Sequence, residues 1–425
     1  MTRQPPVYND IPALVDGCYD SLTALEVKGN FRGRDYHYCR PALKKYHAGQ
    51  WLWDSGWHTV VWSHRAPENA VAELRTLLSY QQPDGFVPEI IFWKANWFAR
   101  YIFNPLSGFS HPDYTYLTQM PMLAYSVRAI WNATGDKSLL EEFVPKIAAY
   151  LTWWEIRDLD DAGLVSIIHP WESGIDASPV YDPVFHLDDP KWYQLYPRFW
   201  NLLVRYRRLR WDQTGILKRE WFDIKDVGVC SVYADGWSIL ADLAVKFDTT
   251  LAARCRAKAV KYRDGIIEKC WDRKSGRFIS LFRQNGRYNI SGAETVQALL
   301  PLLLDDLPAD IAAKLVSRLT DPKKFWLNYP VPSVAADDPS FTAGASRLLW
   351  RGPMWPATTW LVMEGLLKHG FKTEARTILD RWTEMCLKNG VWEYYHPLTG
   401  EGLGQKDMGM STLIVDMLRR FNLTP

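Results

Sequence analysis

Apolar residues recur at three- and four-residue intervals along most of the chain. This periodicity predicts helices over 9–26, 67–82, 119–134, 138–155, 233–264, 294–304, 308–319, 356–369, 371–388 and 409–420. Stop signals follow many of them: QQPDG at 81–85, NATGD at 132–136, KSG at 274–276, HG at 369–370 and NG at 389–390. Two-residue alternation is scarce. The clearest case, RFISLFRQNGRYNIS (277–291), carries an Asn-Gly pair that predicts a tight hairpin turn. No Gly/Ser-rich linker or low-complexity segment divides the chain.

Loops bearing Trp or a carboxylate fall near positions 53, 93, 115, 171, 235, 290, 350 and 393, alternating with amphipathic helices roughly every 40 to 60 residues. Helix hairpins repeated at that spacing, with polar loops gathered at one end, predict an all-α toroid, an (α/α)6 barrel of inner and outer helices. The stretch 185–228 fits the rhythm poorly and is expected to be a loop and helix insertion over the barrel mouth. The expected organisation is thus one catalytic barrel spanning residues 1–425, with that insertion.

Composition narrows the function classes. Of 425 residues, 47% are hydrophobic and 23% charged, as in an ordinary soluble globular protein. A formal net charge of +2 offers no electrostatic case for nucleic acid or an anionic membrane. No apolar run approaches the roughly 20 residues needed to span a bilayer, and the Met-Thr-Arg-Gln-Pro-Pro start lacks a signal-peptide pattern. Six scattered cysteines without CxxC spacing predict free thiols and a cytoplasmic setting rather than disulfides or zinc. Self-association into a homo-oligomer stays open.

The 22 tryptophans change the picture. Many sit among polar residues, in QWLWDSGWH (50–58), FWKANWF (92–98), HPWESG (169–174), LWRGPMWP (349–356) and VWEYYHP (391–397). Burial alone explains such settings poorly, whereas indole faces stack on sugar rings while carboxylates and amides take the hydroxyls. In HPWESGIDASP (169–179), Glu172 and Asp176 flank a small rigid turn, with Trp171 and Ile175 as an apolar wall that would keep a nearby acid protonated. Glu393 lies between aromatics and ahead of a glycine-rich loop. Asp54 stands between Trp53 and Trp57. Arg351, between Trp350 and Trp355, is either a salt-bridge partner for an acid or a substrate clamp. Glycoside hydrolysis needs two carboxyl groups on opposite sides of the scissile bond, and acids paired with Trp in widely separated loops supply them.

The motifs WxWDSxxH (51–58), QPDGFVP (82–88), TQMP (118–121), HPWESGIDxSP, WRGPxWP (350–356) and WEYYxPxTGxG (392–402), in that order, resemble glycoside hydrolase family 63. The likeness covers about 50–410. It implies an inverting α-glycosidase with Asp176 as general acid and Glu393 as general base. It also implies a sugar subsite lined by Trp53, Asp54, Gln119, Arg351 and Trp355; Trp171, Glu172 and Trp350 join this expected substrate-binding set, Glu172 as a supporting carboxylate. The short chain is similar to the branch that hydrolyses glucosylglycerate or mannosylglycerate to hexose and glycerate. That branch has Tyr-Trp before Arg-Gly-Pro where this chain has Leu349-Trp350, which leaves the aglycone open. An anionic aglycone calls for a basic partner, expected from Arg198, Arg205, Arg207, Arg208 or Arg210 of the insertion.

The alternatives are a neutral α-glucosidase or trehalase-like hydrolase of di- or oligosaccharides, and a non-catalytic sugar-binding toroid. Neither cofactor nor metal is expected: no phosphate loop, GxSxG elbow or HExxH is present. His37 and His58, near Asp35 and Asp54, are expected to hydrogen-bond rather than ligate.

Overall fold

The computed structural model describes residues 7–45, 49–94 and 111–424. Helices alternate between an outer and an inner layer along the chain. Outer α1 (Ile11–Leu25) precedes inner α2 (Leu52–Trp62), outer α3 (Pro67–Leu78), inner α4 (Leu123–Thr134) and outer α5 (Lys137–Trp154). Between α5 and the next inner helix lie α6 (Trp192–Arg208) and the short α7 (Gln213–Leu217), within the stretch 185–228. The alternation resumes with inner α8 (Val227–Ala244), outer α9 (Thr249–Cys270), an inner 3-10 segment Val296–Leu303 and outer α10 (Ala309–Leu319). Inner α11 (Pro356–Lys368) and outer α12 (Lys372–Asn389) follow, and the 3-10 turn Gly409–Leu413 leads into α13 (Ile414–Arg420).

Inner elements pack in sequence: α2 on α4, α4 on α8, α8 on 296–303, that segment on α11, α11 on 409–413, and 409–413 back on α2. Each outer helix rests on its inner neighbour, with α1 against both 409–413 and α12. This is the expected all-α toroid, with the strands among the described residues confined to small sheets of two or three.

The layers differ because their faces differ. In α2 every residue is buried, and in α8 all but Asp242, so neither shows a polar stripe. For that reason no helix is predicted over 52–62, where WLWDSGWH reads as a loop. The single helix expected over 233–264 is in fact two, α8 and α9. Asp248 ends the turn between them and caps α9 by accepting the Leu251 amide at 2.9 Å. The hairpin is as expected: Leu281–Gln284 pairs with Arg287–Ile290 around Asn285 and Gly286, both at positive φ.

All six cysteines are free and buried. Among the described residues, no helix is long and apolar enough to cross a membrane.

Candidate active site

The N-terminal ends of the inner elements meet at one pocket. Trp53 and Asp54 come from the first turn of α2, Gln119 from the segment before α4, Trp355 from the N-cap of α11, and Met408 and Met410 from the start of the last inner element. The cavity is about 240 Å³. Four carboxyl groups line it, those of Asp54, Glu89, Asp176 and Glu393, and among the described residues no Lys, Arg or His is in the lining. Helix N-termini favour negative charge, which offsets part of the repulsion in so acidic a site.

Asp176 is held by a turn that the sequence builds locally. Pro170–Ser173 forms one 3-10 turn, and the Ser173 hydroxyl donates to the Pro170 carbonyl and accepts the Ile175 amide. Gly174 closes the turn at φ 71°, and a Cβ there would lie 2.6 Å from the Trp53 ring, so only glycine fits. Burial pushes the Asp176 carboxyl up to about 7; the Glu393 charge adds to the rise, and Lys45 opposes it.

Glu393 sits on the strand Trp392–Tyr395, which pairs with Gly402–Lys406. Its Oε2 accepts the Gln405 amide at 2.9 Å, and a Cβ on Gly404 would strike that oxygen. The glycine-rich loop therefore brings backbone up to the carboxylate itself. An amide bonded to the ionised form suits a base.

Asp54 is also raised to about 7, first by burial and then by Glu393 and Glu73, against the field of His58. His58 lies one turn further along α2, and its Nδ1 is 3.0 Å from Glu73 Oε1, both side chains being buried. The expected hydrogen-bonding role of His58 is what the structure contains, and His37 likewise meets Glu26. Cys39, His58 and Glu73 converge within 4.8 Å. His58 Nδ1 and Glu73 Oε1 are taken by their mutual bond and Cys39 Sγ accepts the Trp62 indole N–H at 3.3 Å, while His58 Nε2 and Glu73 Oε2 are buried without a hydrogen-bond partner among the described residues.

Aromatic rings form the walls. Trp350 and Trp355 stack with centroids 3.7 Å apart, Trp355 stacks on Tyr394 at 4.4 Å, and Trp53 meets Trp350 edge-on. Trp171 also lines the pocket, and Gln119 accepts the Trp53 amide at 3.0 Å.

Of the expected residues, Asp176, Glu393, Trp53, Asp54, Gln119, Trp171, Trp350 and Trp355 are brought together at the pocket. Two expected there are not. Glu172 is fully buried beneath the turn, in a two-pronged ion pair with Arg157 at 2.6 and 2.9 Å, and accepts the Ile168 amide at 2.8 Å. Arg351 points away into a salt bridge with Asp182, the first of the two roles its setting suggested. In both cases a buried charge demanded a partner, and the partner lies outside the motif, 15 residues from Glu172 and 169 from Arg351.

None of Arg198, Arg205, Arg207, Arg208 and Arg210 is in the lining; the Arg198 side chain donates to the Gln194 carbonyl, and Arg205 stacks on Trp221. In the FWKANWF cluster, Trp93 bonds Gln50 and packs on Tyr36 and Tyr80, while residues 95–98 lie outside the described residues. Glu89 was missed, although it directly follows QPDGFVP; its one signal was a lone acid between that motif and two isoleucines.

Residues 45–411 match the mannosylglycerate hydrolase MGH1-like glycoside hydrolase domain. A mannosylglycerate hydrolase of Thermus thermophilus is 30% identical over 394 residues, covering 86% of this chain and 92% of that protein. A glucosylglycerate hydrolase of Mycolicibacterium hassiacum is 25% identical over 429 residues, covering 90% and 94%. Among solved structures, a glycoside hydrolase family 63 mannosylglycerate hydrolase of Thermus thermophilus, in complex with Tris and D-glycerate, superposes with a TM-score of 0.83 at 28% identity, covering 96% of this chain and all of that one.

Proposed function

The chain belongs to the mannosylglycerate hydrolase MGH1-like family of glycoside hydrolases, and on that footing we propose that it hydrolyses the α-glycosidic bond of glucosylglycerate or mannosylglycerate with inversion. The observation that carries this reading is the shared pocket of Asp176 and Glu393, in which Asp176 is raised to about 7 while Glu393 accepts a backbone amide. The first carboxyl is suited to hold a proton near neutral pH, and the second is oriented by a backbone amide, as a base requires.

Asp176 gives its proton to the glycosidic oxygen as the bond from the anomeric carbon breaks. A water on the opposite face attacks that carbon and loses a proton to Glu393. The products are a hexose of inverted anomeric configuration and the protonated aglycone hydroxyl. Proton exchange with solvent resets the pair. Inversion needs a separation of about 6.5–9.5 Å between the two carboxyls, which leaves room for the water. Trp53, Trp350 and Trp355 offer faces to the ring, while Asp54 and Gln119 take hydroxyls.

A second reading has a specific observation behind it. Among the described residues the pocket lining holds four carboxyls and no cation, which is unfavourable for an anionic aglycone unless its carboxylate is met outside that lining. A neutral disaccharide avoids the problem. Incubation with glucosylglycerate, mannosylglycerate and trehalose, with the product anomer read by NMR before mutarotation, tests both readings. Turnover of a glycerate glycoside to the inverted hexose is expected. Turnover of trehalose alone replaces the substrate, and a retained anomer ends the inverting mechanism.

A further inference from the structure

Glu89 is the one carboxyl of the pocket for which neither sequence nor family likeness supplied a role. Its backbone is pinned on both sides: its amide donates to the Leu117 carbonyl at 2.8 Å, its carbonyl accepts the Leu52 amide at 2.9 Å, and the strand Ile90–Ile91 that follows pairs with Gln50–Trp51. The residue is 2% exposed, and its Oε2 is buried with no hydrogen-bond partner among the described residues. Native proteins rarely leave a buried polar group in that state, because the unmade bonds are costly for a neutral group and far more so for an ion.

Two resolutions exist, and both apply here. The group can keep its proton, which removes the ionic part of the cost. The charges facing it favour this: Asp176 and Glu172 both act on it, Asp54 and Glu393 share its cavity, and no cation among the described residues lines that cavity. Burial, followed by the Asp176 and Glu172 charges, holds the Glu89 carboxyl well above the usual range. The remaining cost, that of a buried carboxyl oxygen without a partner, is met when a ligand rich in hydroxyls enters.

We propose that Glu89 is a substrate-contacting residue that acts as a neutral carboxylic acid, donating to and accepting from hydroxyls of the glycoside beside Asp176. A neutral acid in this position binds sugar oxygens without adding a further negative charge next to the proton donor. An ionised one would hold the Asp176 proton more tightly and repel an anionic aglycone. Glu89 thus belongs to recognition, and Asp176 and Glu393 to proton transfer. The assignment rests on the glycosidase reading for its kinetic arm alone.

Two variants and one spectroscopic measurement test it. Glu89→Gln keeps a neutral donor and acceptor of the same shape, whereas Glu89→Met keeps the shape alone. Glu89→Met is expected to raise KM on the order of 10- to 100-fold, the scale of one lost buried hydrogen bond or two. Glu89→Gln should cost at least tenfold less, with kcat changed less than KM in both. Hexose binding, followed by tryptophan fluorescence, should show the same order without requiring turnover. An infrared difference spectrum of wild type against Glu89→Gln at pH 7 should contain the carbonyl stretch of a protonated carboxyl. Equal losses in Gln and Met variants, unchanged hexose affinity in Glu89→Met, or absence of the protonated carbonyl band would each overturn the proposal. A wild-type protein that hydrolyses no glycoside of the panel would sink the glycosidase reading and leave the binding and infrared arms to decide Glu89; if Glu89→Met does not fold, the isosteric Gln variant and the spectrum decide it.

Discussion

Arg351 grips both carboxylate oxygens of Asp182 at 2.7 Å, and its Nε donates to the carbonyl of Ala177 at 2.6 Å. One guanidinium therefore fixes the chain at both ends of the 177–182 segment, immediately after Asp176. Arginine suits this because its fork offers parallel donors to a carboxylate and a third for a carbonyl, which a lysine ammonium cannot reproduce.

Replacing Arg351 by Lys keeps the charge and loses the fork. The Asp176 carboxyl should then wander by a fraction of an ångström, so kcat is expected to fall about 10- to 100-fold, while KM changes little. Steady-state kinetics separate the two. A loss confined to KM would mean that Arg351 contacts substrate after all.

The rate should fall as pH rises through about 7, because the Asp176 proton is lost there. Lys45 lowers the Asp176 pKa, so Lys45→Met is expected to move the falling limb to higher pH, by about a few tenths of a pH unit. Lys45 is exposed, so salt should erase most of the difference. Profiles at low and high ionic strength check both the direction and its origin; a limb that moves down contradicts it.

Asp54 should cost stability above neutral pH. Its folded-state value of about 7 lies above the unfolded value of about 3.9, so its favourable contribution is complete below about pH 4 and is lost as pH rises to 7. Asp54→Asn is expected to be more stable than wild type at pH 8, by about 1–4 kcal/mol, since each tenfold change in the proton equilibrium is worth about 1.4 kcal/mol. At pH 4 the two should be nearly equal. Activity should fall at both. Denaturant titrations at the two pH values test the sign.

Glu172→Gln should leave the Arg157 guanidinium buried without its anion, at a cost of about 3–5 kcal/mol. The specific activity of the molecules that remain folded should fall by much less than that of Asp176→Asn, for which a loss of about 10² to 10⁴ is expected. Combining Arg157→Met with Glu172→Leu should recover much of the stability. If Glu172→Gln instead spares the fold and abolishes turnover, Glu172 is chemical rather than structural.

The helical class, the outer helices and the two acid-bearing loops are legible along the chain, because each leaves a one-dimensional trace. Outer helices such as α3 and α10 have a wet and a dry face, so their apolar spacing is visible. The Asp176 turn is written in adjacent residues, with Pro, Ser and Gly each serving a local bond or φ angle. The motifs that resemble family 63 supplied Asp176 and Glu393 as a pair, which spacing along the chain could not.

What lies behind the pocket wall emerges only on packing. Helix α2, buried on every side, has no pattern to read. Glu172 and Arg351 carry the same motif signals as the pocket residues, but their partners, Arg157 and Asp182, were fixed by the ring of helices closing around them. Glu89 stands out because the strand pairing of 90–91 with 50–51 turns an ordinary acid into a buried one whose Oε2 has no partner among the described residues. A charge's role depends on which other charges and how much water surround it, and those neighbours come from distant parts of the chain.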